Sequence, residues 1–303
     1  MDEKTLWEFC DDAIDYEEEI ILLADQKIKI QSLPEQLPVE VLSMLADANV
    51  EISGRCPWPG SLILATYLLH AQNRKICEGK KCIELGAGSG ILGLALNKLA
   101  DDVVLTDADP FALNLIRSNL DCNTINGVLV KQLRWGSPVD IREVKLALGE
   151  RYLNECLDVV LAADVCYKEE IVLPLMTTSL MMAPNLILCH IPRHGVTHDF
   201  VIKCAKDVGF KLMEDIMVDE AMLNRCPENV RHGVGCTDAK IFVFRLNLTD
   251  DTVIIENRGV EKVARQFSEV TSCTDDDDSK LSSRKNTRLE ESKKYAYKAY
   301  DSM

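Results

Sequence analysis

The stretch of this chain best suited to hold a small molecule is Gly86-Ala87-Gly88-Ser89-Gly90. Glycine at alternate positions lets a backbone pass close to a ligand without Cβ collisions. The apolar run of Cys82, Ile83 and Leu85 stops at this loop, and Ile91, Leu92, Leu94, Ala95 and Leu99 recur after it at helical spacing. A helix starting there aims free amide N–H groups at whatever the loop holds. The next apolar run, Val103-Val104-Leu105, closes on Asp107, an acid placed to accept hydrogen bonds from a ribose diol. Strand, glycine turn, helix, strand and acid together describe a nucleoside-binding half-site.

Two registers of the loop compete. Gly88 to Gly93 matches GxGxxG, the dinucleotide pattern of nicotinamide-dependent oxidoreductases, which alone is a weak signal. Glu84-x-Gly86-x-Gly88-x-Gly90 instead resembles the acidic glycine loop of class I S-adenosylmethionine-dependent methyltransferases. Glu84 favours the second register, because an acid beside the loop suits a cationic sulfonium and repels a pyrophosphate. A generic tight turn between strand and helix is the bland alternative.

The rest of the chain supplies elements to position such a loop. Glu19 to Leu33 carries two β-like runs around Ala24-Asp25-Gln26, with Ile28 and Ile30 alternating with lysines, which predicts a hairpin. Residues 34–55 read as a helix or loop lead-in. Prolines at 57 and 59 then fix an extended approach to an apolar helix, with Ser61 placed to cap it. Asp109-Pro110 reads as a cap and first turn for a helix over 111–123. Further strands fall at 128–135, 157–165, 185–191, 209–217 and 240–247, with helices at 168–182 and 198–208 between them. Strand–helix alternation of this kind predicts an α/β fold with a mostly parallel sheet and helices on both faces, closed by an antiparallel strand.

Composition narrows the function. The net charge of −15 argues against a non-specific nucleic-acid binder. Residues 1–25 hold ten acids and one lysine, an acidic arm. No apolar run approaches the roughly 20 residues of a membrane span, and the N-terminus lacks a secretory pattern. None of the twelve cysteines forms a Cys-x-x-Cys pair; Cys82, Cys166 and Cys189 read as small core residues of a reducing compartment. His190, His194 and His198 are spaced by four, but Pro192 and Gly195 break any shared helix, so they read as loop residues rather than metal ligands. From residue 249 the pattern collapses into a charged tail, expected to be disordered or weakly helical.

Over roughly residues 50–248 the chain resembles the seven-β-strand protein-lysine methyltransferases, methyltransferase family 16. Four local matches carry the likeness: Trp58-Pro59 before the apolar helix, Glu84 to Gly90 with Asp107, Leu133-Arg134-Trp135-Gly136, and Asp164-Val165-Cys166-Tyr167, which fits the group's Asp-x-x-Tyr signature. The resemblance implies a Rossmann-like fold with a seven-stranded sheet, S-adenosylmethionine as cofactor and no metal. It implies cofactor contacts from Trp58, Glu84, Gly86, Ala87, Gly88, Gly90, Asp107, Trp135 and Ala163. Asp164 and Tyr167 would orient an acceptor amine as the catalytic pair, although Asp164 is also a candidate helix cap before Lys168. Arg193 sits where group members often carry a basic residue at the rim. On this basis residues 1–49 form an acidic arm and hairpin, 50–248 the methyltransferase domain and 249–303 the tail. The expected acceptor is a lysine of a partner protein, with no nucleic acid and no membrane, and the protein is expected to be a cytoplasmic or nuclear monomer. A small amine or a histidine as acceptor, a nicotinamide oxidoreductase and a non-enzymatic adaptor stay open.

Overall fold

The computed structural model describes residues 15–34, 54, 56–231 and 235–247. The proposed arm helix, most of the lead-in over 34–55 and the charged tail lie outside the described residues.

The predicted hairpin forms: β1 (Glu17–Leu23) pairs antiparallel with β2 (Gln26–Ser32). Its inner face is set by the alternation in the sequence, with Ile21, Leu23, Ile28 and Ile30 all buried. These four side chains belong to the same apolar cluster as the first three long helices.

Those helices and the sheet follow in alternation. α1 spans Pro59–Leu69, β3 Lys81–Leu85, α2 Ile91–Leu96, β4 Asp102–Asp107, α3 Pro110–Cys122 and β5 Leu129–Gln132. α4 spans Pro138–Leu148, β6 Val159–Ala163, α5 Glu169–Met182, β7 Asn185–His190, α6 His198–Asp207, β8 Phe210–Met217 and β9 Lys240–Leu246. The sheet order is β5-β4-β3-β6-β7-β9-β8. β3 to β7 run parallel, and β9 inserts antiparallel between β7 and β8. Every residue of β6 is buried, as a strand covered on both faces requires. One core lies with the hairpin and α1 to α3; the other lies with α4 to α6. From β3 the chain steps outward to β4 and β5 and then returns to β6 on the other side of β3, so a crevice opens at the carboxyl ends of β3 and β6, where open α/β sheets bind ligands.

Two asparagines fasten the hairpin to α3. Asn119 accepts from the Gln31 N–H (2.7 Å) and donates back to the Gln31 carbonyl (3.3 Å). Asn123 repeats this with Lys29 at 2.9 and 2.6 Å. One helical turn apart, the side-chain amides stand in for a neighbouring strand.

Two helix starts contrast. Asp109 caps α3 by accepting from the Phe111 N–H at 2.9 Å, as expected. Ser61 does not cap α1. That helix begins two residues earlier at Pro59, with Trp58 at its N-cap and no side-chain cap of its own, and Ser61 is buried inside it. Pro59 brings a preset φ and no N–H to satisfy, which favours the earlier start. Among the described residues no helix is long and apolar enough to cross a membrane.

Candidate functional site

The glycine loop follows β3 and needs its glycines for stated reasons. Gly86, Gly88 and Gly90 have φ of 71°, 54° and 79°, in the left-handed region that side chains avoid. A Cβ on Gly86 would lie 2.9 Å from both the Trp135 ring and the Val165 side chain. A Cβ on Gly88 would lie 2.6 Å from the Gly54 carbonyl oxygen, so Gly54 crosses directly over the loop. Gly93 backs onto Leu105, where a Cβ has no room, and this seats α2 against β4. Ala87 is buried and its N–H donates to the Thr106 carbonyl at 2.9 Å.

Asp107 ends β4 beside this loop. Its Oδ2 accepts from the Gly88 N–H at 2.9 Å and its Oδ1 from the Asp109 N–H at 3.0 Å. The group is thus oriented by the loop at the end of the strand where a ribose diol would lie.

Glu84 corrects the sequence reading. Its side chain turns inward, is 1% exposed, and accepts from the Gly93 N–H at 2.9 Å. Burial pushes its carboxyl up to about 8, opposed by the Gly93 bond and assisted by the charge of Asp107. At neutral pH this buried group is mostly protonated, so it anchors α2 rather than presenting charge to a ligand. The repulsion argument against a pyrophosphate therefore fails. Arg134 and Arg193 at this edge are each paired with a carboxylate, Asp140 and Asp164.

Asp164 follows β6 with φ of 60°, and its N–H donates to the Cys189 carbonyl at 3.0 Å. Its side chain is 1% exposed. Arg193 grips it in a fork, Nε to Oδ1 at 3.0 Å and Nη2 to Oδ2 at 2.8 Å. The Gly60 N–H donates to Oδ2 at 3.2 Å. Asp164 thus does not cap α5, whose N-cap is Lys168; it caps α1 from across the sheet. The positive end of the α1 dipole favours a carboxylate there. The Arg193 guanidinium also lies 5.0 Å from the Trp58 ring centre.

The other expected residues distribute around this pair. Trp135 lies in the turn after β5, half-buried, with its ring against Gly86. Its neighbour Gly136 is held by a 2.8 Å bond from its N–H to Thr178. Ala163 is the last residue of β6 and pairs with Cys189. Tyr167 is half-buried, with the Lys168 ammonium 5.4 Å from its ring centre. Gly60 was not singled out from sequence, since it owes its place to Asp164, far along the chain.

The histidines differ from a simple loop. His190 ends β7, is buried, and meets His198 at the start of α6, Nδ1 to Nδ1 at 2.9 Å. His198 Nε2 lies 2.9 Å from the Asp238 carbonyl, which can only accept, so His198 donates there. Burial, followed by the proximity of His198, pulls the His190 imidazole down to about 4.

A Rossmann-like sheet with an alternate-glycine loop and an acid ending the next strand defines the architecture of class I methyltransferases. The chain belongs to the lysine methyltransferase family, whose profile matches residues 36–207. It is 32% identical over 117 residues to the protein N-lysine methyltransferase METTL21A of Danio rerio, covering 37% of this chain and 48% of that protein. It is 29% identical over 172 residues to a calmodulin-lysine N-methyltransferase of Arabidopsis thaliana, covering 53% of each. The chain thus spans about half the length of these curated relatives. The fold also matches that of SMU.776 solved in complex with SAH, at a TM-score of 0.50 and 11% identity, over 76% of this chain and 56% of that one.

Proposed function

We propose that this protein transfers methyl groups from S-adenosylmethionine to a lysine side chain of another protein. The observation that carries it is a contact: Gly86 of the cofactor loop abuts Val165 of the Asp-x-x-Tyr turn and the Trp135 ring. A ligand on the loop and an acceptor at Asp164 would therefore be neighbours. The site suits a nucleoside: Asp107 for the ribose, the Trp135 indole for the adenine and Trp58 for the methionine end. S-adenosylmethionine, when bound, supplies an electrophilic methyl group. Asp164 and Tyr167 orient the acceptor amine, and positioning does most of the catalytic work.

A partner protein fits as acceptor better than nucleic acid does, given the net charge of −15. Buried free cysteines such as Cys82, Cys166 and Cys189 support a cytoplasmic or nuclear setting. We take the working form to be a monomer.

The test is incubation with tritiated-methyl S-adenosylmethionine and cell extract, followed by a denaturing gel and mass spectrometry of the labelled peptide. A discrete band carrying methyl-lysine, absent with Asp164→Ala, is expected. Label only in small molecules, or on histidine, overturns the acceptor assignment. Saturable NAD binding without S-adenosylmethionine binding overturns the class of reaction.

A further inference from the structure

We propose that Arg193 occupies the seat of the acceptor's own cation at Asp164, and that an incoming lysine takes the seat by exchange while Trp58 holds the displaced guanidinium. This rests on reading Asp164 as the group that orients the acceptor amine.

Asp164 is buried, and a buried carboxylate without a counter-charge is strongly disfavoured. Arg193 supplies that charge, engaging both oxygens, while the Gly60 N–H takes a further position on Oδ2. With so little exposure, the carboxylate has no open side for a second cation, and the guanidinium would repel one. A lysine ammonium must replace the fork bonds rather than join them. One cation leaves as one arrives, so the buried charge stays compensated throughout.

The geometry provides for the exchange. Arg193 is the more exposed partner, at 27% against 1%. Its guanidinium already lies over Trp58, a face that can hold it once Asp164 lets go. Its backbone is fixed: the Val196 N–H closes the turn onto the Arg193 carbonyl at 2.9 Å, with His194 and Gly195 at φ of 47° and 85°. Only the side chain needs to move. The exchange also selects among acceptors. A free small amine brings little else to offset the lost fork, whereas a lysine on a docked protein brings the binding energy of its surroundings.

The test uses full-length wild type, Arg193→Ala and Arg193→Gln with the acceptor protein found by labelling. Removing Arg193 is expected to lower the acceptor KM at least about tenfold. Millimolar guanidinium chloride, against matched sodium chloride, should then inhibit Arg193→Ala competitively with the acceptor and leave wild type unchanged. If Arg193 is instead a brace for Asp164, KM rises and guanidinium restores activity, and the proposal is overturned. A second readout needs no turnover: guanidinium and n-butylammonium should each raise the Tm of Arg193→Ala and leave wild type unmoved. No shift in the variant also overturns the proposal. A wild type that methylates no lysine sinks the functional reading first, and the thermal shifts still decide whether Arg193 fills a cation seat.

Discussion

The Gly60 N–H and the Asp164 carboxylate meet at 3.2 Å across 104 residues of sequence. The contact joins the start of α1 to the end of β6 and orients the carboxylate from behind. It also leaves no space: a Cβ on Gly60 would lie 2.8 Å from Cβ of Asp164 and 3.1 Å from its backbone N. Gly60→Ala should gain about 1 kcal/mol of helix propensity. Overpacking should outweigh that gain, for a net loss of about 1–2 kcal/mol. Denaturant midpoints and acceptor KM together check this; an Ala variant as stable and as active as wild type would count against the packing described.

Asp164→Asn keeps the size of the side chain and an acceptor for Gly60 but removes the charge. Acceptor kcat/KM is expected to fall about 100-fold, as for loss of one aligned charged group. Affinity for S-adenosylmethionine should be little changed, since the loop and Asp107 are untouched. Calorimetric titration beside the rate assay separates the two; equal losses in both would move Asp164 into the cofactor site.

Glu84 and His190 make opposite demands on pH. The fold raises the Glu84 carboxyl from its ordinary 4.5 to about 8, so the folded state keeps a proton that the unfolded chain releases, and stability falls as pH rises across that window. The fold lowers His190 from 6.5 to about 4, so the unfolded chain takes a proton that the folded state refuses, and stability falls as pH drops through that range. Between about 4.5 and 6.5 the two slopes oppose each other. Glu84→Gln should remove one slope, leaving stability that climbs with pH through the His190 window and exceeds wild type at pH 8 by about 4 kcal/mol. Urea unfolding from pH 4.5 to 8 would show it; parallel curves for variant and wild type would refute the assignment.

Asn119 is fully buried and has three backbone partners: both polar groups of Gln31 and, at 2.9 Å, the carbonyl of Ser89 in the glycine loop. Asn119→Ala leaves all three unmatched. We expect a loss of about 3 kcal/mol in stability and a raised KM for S-adenosylmethionine. Thermal denaturation and cofactor titration check the two halves, and a variant weakened in stability alone would remove the link to the loop.

The strand–helix alternation, the hairpin and the glycine loop were legible because each is written in local spacing. Ile28 and Ile30 declare a strand face, and Asp109-Pro110 declares a helix start, from neighbours alone. Glu84 was misread because β3 is buried from Cys82 through Leu85, so no alternation tells which way its carboxyl turns. Arg193 could be noticed but not paired, since its partner lies 29 residues away, just past the end of β6. Gly60 is demanded by Asp164, which no reading of its own neighbours reveals. The His190 and His198 pair fell between two elements, one residue ending a strand and the other opening a helix.

The paired asparagine clamp has a practical consequence for dividing the chain. Trimming the protein at residue 50 to isolate the catalytic core would strip four side chains from the core and orphan two side-chain amides, one of them fully buried. One of those amides touches the cofactor loop directly. Cutting away the hairpin therefore frees the very amide that holds the loop's Ser89 carbonyl.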